Sequence, residues 1–244
     1  MGGDGSVFGA FPRNSKNDRL RGADATRRVL PGFADYWRIF RHSGLRRTWA
    51  HFWGSHVFDL IHGTDTAHWR PKAPHPSALE NIAHGCSYEA SDTFQILRCI
   101  QFLGSFLRLS DYEFFDLGCG KGKVLLCASP FGFKKVVGIE YDPELSAIAS
   151  RNVARMGVTA EVVCSDASIF KGYGDHAVLY LFNPFDDVLL LRVVRSLEQM
   201  VGEFIVVYVN PVHSEVFKGW RRLAVIPGRA KHLPAEIFRF ENGG

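Results

Sequence analysis

Apolar positions follow two rhythms along this chain. From residue 112 onward, short runs of Val, Ile, Leu and Phe alternate with stretches in which apolar residues return every three or four positions. The first rhythm marks strands buried on both faces, and the second marks one face of a helix. The pattern predicts strands at Glu113–Leu117, Lys135–Glu140, Ala160–Cys164, Ala177–Phe182 and Glu203–Val209. Helices are expected between them, at Lys123–Ser129, from Asp142-Pro143-Glu144 onward, and at Val188–Met200. The middle helix begins with a capping acid, a first-turn proline and a carboxylate at the positive dipole end. Arg222–Ile226 and Glu236–Phe240 are expected to add a hairpin. Such alternation implies an α/β fold, with a mostly parallel sheet covered by helices on both faces.

The chain before residue 112 reads differently. Residues 1–30 lack periodicity and read as a flexible tail. Residues 31–84 form an extension. Its aromatic stripe from Phe33 to Leu60 predicts amphipathic helix broken near Ser43-Gly44, followed by a loop with Pro71, Pro74 and Pro76. Residues 85–244 form the main domain, opened by a helix that Ser91-Asp92 caps and Phe94, Ile96, Leu97, Ile100 and Leu103 stripe.

Composition narrows the class. The 244 residues are 46% hydrophobic and 22% charged, as in an ordinary globular protein. No apolar run approaches membrane-spanning length, and no secretory leader is visible, so a cytoplasmic location is expected. Residues 1–60 hold ten Arg and Lys against five Asp, which suits weak contact with an acidic partner as well as a plain solvated face. Five cysteines form no CxxC pair. Seven of ten histidines lie between His42 and His84 without metal-ligand spacing, so no metal is expected.

Chemistry concentrates after the first predicted strand. The turn there reads Asp116-Leu117-Gly118-Cys119-Gly120-Lys121-Gly122. Glycines let a ligand approach the backbone at a helix N-terminus. The dinucleotide fingerprint is Gly-x-Gly-x-x-Gly. Here the third glycine comes one place early, and an acid stands two places before the first. That acid suits a cationic cofactor, and S-adenosylmethionine carries a sulfonium and an ammonium but no pyrophosphate. Glu140, ending the second strand, is placed to accept from ribose hydroxyls, and Asp166, after the third, from an adenine amino group. A nicotinamide-dependent oxidoreductase shares the Glu140 feature and stands as an alternative, as does a cofactor-binding scaffold without turnover.

The segments FFDLGCGKGKV, VVGIEYDPEL, VVCSDA and LYLFNPFDD resemble, in order, the motifs of class I Rossmann-like S-adenosylmethionine-dependent methyltransferases, over about residues 85–240. The resemblance implies a seven-stranded sheet with an antiparallel last strand. By that match Asp116, Gly118 and Gly120 line the methionine part, Glu140 holds the ribose, and Asp166 with Ala167 borders the adenine; Cys119 and Tyr141 are further cofactor-binding candidates. The upstream stretch is similar to the lead-in of a poorly characterised bacterial-type subfamily, in which a Tyr-Glu step closes over the cofactor. Tyr88 and Glu89 are the matching residues.

Asn183-Pro184-Phe185 closes the fourth strand. It is similar to the (Asp/Asn)-Pro-Pro-aromatic motif of amino-methylating enzymes, where the polar side chain and a backbone carbonyl orient the acceptor nitrogen. Phe185 stands where that motif has its second proline, so plain turn chemistry is an equal reading. The resemblance implies transfer of a methyl group, preferably to an amine. The acceptor class stays open between protein, nucleic acid and small molecule.

Overall fold

A computed structural model describes residues 57–67, 91–228 and 234–242, all within one compact unit, His51–Gly244. The expectations for residues 1–30, for most of 31–84, and for Tyr88 and Glu89 lie outside the described residues.

Seven strands form one sheet: β1 (Glu113–Leu117), β2 (Lys135–Glu140), β3 (Glu161–Cys164), β4 (His176–Phe182), β5 (Gly202–Val209), β6 (Arg221–Ile226) and β7 (Ala235–Asn242). Their order is β3-β2-β1-β4-β5-β7-β6. Strands β1 to β5 run parallel, and β7 lies antiparallel between β5 and β6. The fold is therefore the expected mostly parallel, seven-stranded α/β sheet with a reversed last strand. The order turns back at β1 and β4, and open sheets of this kind bind ligands beyond the strand ends at such a switch point.

Among the described residues, five α-helices accompany the sheet: α1 (Val57–His62), α2 (Thr93–Gly104), α3 (Lys123–Ala128), α4 (Pro143–Met156) and α5 (Asp187–Glu198). Their ends follow local chemistry. Asp92, Asp142 and Asp186 each accept amide bonds as N-caps of α2, α4 and α5. Gly157, at φ +63°, ends α4 in the left-handed conformation.

Alternation along the strands sorts side chains to two faces. Phe115, Leu117, Val137, Leu179, Leu181, Phe204 and Val206 pack with Leu190, Val193 and Leu197 of α5 in one core cluster. The opposite set includes Asp116, Gly138 and Tyr180, which stand side by side in the register of β1, β2 and β4. Of that set Asp116 is the polar intruder, buried at 3% exposure in the middle of a hydrophobic sheet. A charge placed there is costly unless something pairs with it.

Candidate active site

The glycine loop is stitched to β2 by its own backbone. Gly118 and Cys119 both donate their N–H groups to the Ile139 carbonyl, at 2.8 and 3.1 Å, and Gly122 donates to Cys119 at 2.8 Å. Gly118, Gly120 and Gly122 have φ of +76°, +53° and +81°. An L side chain is strained at each.

Glu140 completes the loop. One carboxylate oxygen accepts from the Gly120 amide at 2.7 Å, and the other accepts from the Asp142 amide at 2.8 Å. It is thus both an acid at the strand end and the clasp that shapes the turn. Burial pushes its carboxyl up to about 6, while the backbone hydrogen bonds pull it down. Asp116 lies deeper, and burial first, then the neighbouring Glu140 charge, drive its carboxyl well above the ordinary range. Its Oδ2 has no hydrogen-bond partner among the described residues. Two buried acids, one with an orphaned oxygen, make a site that a cation completes. S-adenosylmethionine fits that requirement.

The remaining predicted residues fall at neighbouring strand ends. Tyr141 is half-buried, and its carbonyl accepts from the Cys164 thiol at 3.9 Å. Asp166 accepts from the Ser168 amide and hydroxyl, both at 2.8 Å, and Ala167 is buried in the core cluster. Cys119 is buried, and burial holds its thiol protonated well above its usual range.

The Asn183-Pro184-Phe185 turn meets the glycine loop directly. A Cβ added to Gly118 would stand 2.7 Å from the Pro184 Cβ. Asn183 adopts φ +41°, a left-handed conformation that asparagine tolerates better than most residues. Its Oδ1 accepts from the Tyr208 hydroxyl at 3.1 Å. Phe185 is buried at 9% exposure within the core cluster, where it anchors the turn.

Several neighbours escape sequence reasoning. Tyr208 looks like any strand aromatic until the register places it beside β4. Asn210, at φ +53°, opens a second Asn-Pro step at the end of β5, next to the first. The repeated dipeptide is a visible signal for it. Lys121 is 2% exposed and pairs with Asp65 at 2.8 Å, a contact across 56 residues.

Part of the chain is similar to known proteins. Residues 114–201 match the methyltransferase domain family. Among curated relatives, the ribosomal protein L11 methyltransferase of Shewanella denitrificans is 34% identical over 91 residues, 37% of this chain and 30% of that protein. That of Geobacter metallireducens is 30% identical over 105 residues, 43% of this chain and 34% of that protein. The matched part spans about a third of the length of these relatives. A solved ribosomal protein L11 methylase from Lactobacillus delbrueckii subsp. bulgaricus superposes with a TM-score of 0.47 at 17% identity, covering 62% of this chain and 79% of that one. The family matched is a methyltransferase one, the first of the readings that the glycine loop allows.

Proposed function

We propose that the chain, whose residues 114–201 match the methyltransferase domain family, is an S-adenosylmethionine-dependent methyltransferase that methylates an amine nitrogen carried by a protein. The observation that carries this reading is the contact of Gly118 with Pro184, which sets the Asn183 turn against the cofactor loop. The names of the curated relatives support a protein acceptor.

The cofactor supplies a methyl group already activated on a sulfonium. The protein's work is then to bind, orient and exclude water. Asp116 and Glu140 offer carboxylates to the cationic end and the ribose, and Asp166 with Ala167 borders the adenine. Tyr208 donates to Asn183 Oδ1 and so fixes the amide plane. The remaining lone pair of that oxygen and the backbone carbonyl that follows accept from the acceptor N–H groups. The nitrogen lone pair is thereby aimed at the methyl carbon. Phe185 keeps this turn in place from inside the core. A neutral amine sheds its proton to water after transfer and needs no dedicated base.

Transfer of labelled methyl groups from S-adenosylmethionine into a fractionated lysate tests the proposal. Label is expected in protein, stable to mild alkali as N-methyl groups are. Label confined to nucleic acid or small molecules contradicts the protein acceptor. Alkali-labile label contradicts the amine. Absence of label from every fraction favours a scaffold.

A further inference from the structure

A lysine inside the cofactor loop is an electrostatic problem for a cationic cofactor. Lys121 sits between two of the loop glycines and is 2% exposed. Its ammonium is held by Asp65 Oδ1 at 2.8 Å, from the turn that follows α1. Asn152 of α4 ties the same two residues by their backbones. Its side chain donates to the carbonyls of Asp65 and Lys121, at 3.0 and 2.9 Å, and accepts from the Asp65 amide at 3.1 Å. The turn is itself closed by hydrogen bonds. Asp59 accepts from the Thr64 and Thr66 hydroxyls and from the Thr66 and Ala67 amides, all within 2.9 Å. Phe58 of α1 lies under the Lys123 ammonium, 5.5 Å from ring centroid to nitrogen. Segment 57–67 is therefore built onto the glycine loop.

We propose that Asp65 and Lys121 are positioning residues for the cofactor. Asp65 offsets the Lys121 charge and holds its ammonium against segment 57–67, so that the Asp116–Glu140 acids face a cationic ligand rather than a lysine. Removing one carboxylate beside a buried ammonium raises the positive potential of the loop, whatever else that ammonium touches. S-adenosylmethionine carries one more positive charge than S-adenosylhomocysteine, so the ratio of their affinities reports that potential. A purely structural latch moves both affinities together.

This inference rests on the cofactor reading above, and one titration series separates the two. The full chain is titrated with each ligand as wild type, Asp65→Asn, Asp65→Glu, Lys121→Met and Asp65→Asn/Lys121→Met, with thermal unfolding checked for each. Asp65 is half-exposed, which screens its charge. Asp65→Asn is therefore expected to lower the S-adenosylmethionine to S-adenosylhomocysteine affinity ratio by about three- to ten-fold. Asp65→Glu keeps the ratio near wild type, and Lys121→Met restores it in the double variant. Equal loss of both ligands in Asp65→Asn, or no restoration by Lys121→Met, overturns the inference while leaving the cofactor reading intact. A wild-type chain that binds neither ligand overturns both.

Discussion

The two ends of the proposed site are built from different materials. At the cofactor end, backbone amides, three left-handed glycines and two buried acids make a shape contributed by residues close in sequence. At the acceptor end, one half-buried left-handed asparagine is steadied by a phenol from the next strand, 25 residues away. The first is fixed by local chain geometry, and the second depends on tertiary register. Variation at the first should abolish binding, whereas variation at the second should slow turnover while leaving the cofactor bound.

Asp116→Asn is the largest test of that contrast. It removes a charge from the pair that faces the cation, and S-adenosylmethionine affinity is expected to fall by about a hundred-fold. The same change relieves an acid buried beside Glu140, so the ligand-free protein should unfold about 1 kcal/mol harder. Calorimetry and thermal unfolding read both. Lower affinity without a stability gain would show that the buried acid carries no strain.

Gly118→Ala attacks the place where the two ends touch. A left-handed alanine costs about 1–2 kcal/mol, and its Cβ would collide with Pro184. Cofactor affinity and turnover are expected to fall together, each by about ten-fold or more. A loss in only one would mean that the ends are mechanically independent.

Tyr208→Phe is gentler and more selective. It deletes one hydroxyl from Asn183, and about 1 kcal/mol of orientation is lost. The expected result is about five-fold lower kcat with unchanged cofactor affinity. Equal kcat would reduce Asn183 to a turn residue.

The same contrast explains what the sequence made legible. Strand β1 and the glycine turn are readable because Phe114-Phe115-Asp116-Leu117 breaks an apolar run with one acid, and the glycine spacing is local. Helix starts at Asp92 and Asp142 are readable because an N-cap bonds its own neighbours. The pairing of Asp65 with Lys121 and of Tyr208 with Asn183 is not, because spacing along the chain says nothing of which strand ends become neighbours. The second role of Glu140 was hidden for a related reason. Its position at a strand end signals an acid near a ligand, whereas its bonds to Gly120 and Asp142 appear only once the loop is folded.

The acid pair also fixes the sign of a pH effect. The Glu140 carboxyl, raised to about 6 in the ligand-free fold, binds protons that an unfolded glutamate would release. Its contribution therefore weakens the ligand-free fold above about pH 6 and is relieved as the pH falls toward the ordinary carboxylate value. The difference in unfolding temperature between Glu140→Gln and wild type should grow as pH rises through that window. A bound cation favours the ionised acids, so cofactor affinity should decline as pH drops through about 6.

The most direct measurement of the central claim, that buried acids recognise a cationic cofactor, is the proton balance of binding. Titrating the full chain with S-adenosylmethionine at about pH 6, in buffers of different ionisation enthalpy, counts the protons exchanged. The account predicts proton release on binding, reduced in Glu140→Gln and in Asp116→Asn. Binding with no proton release, or with proton uptake, would contradict it.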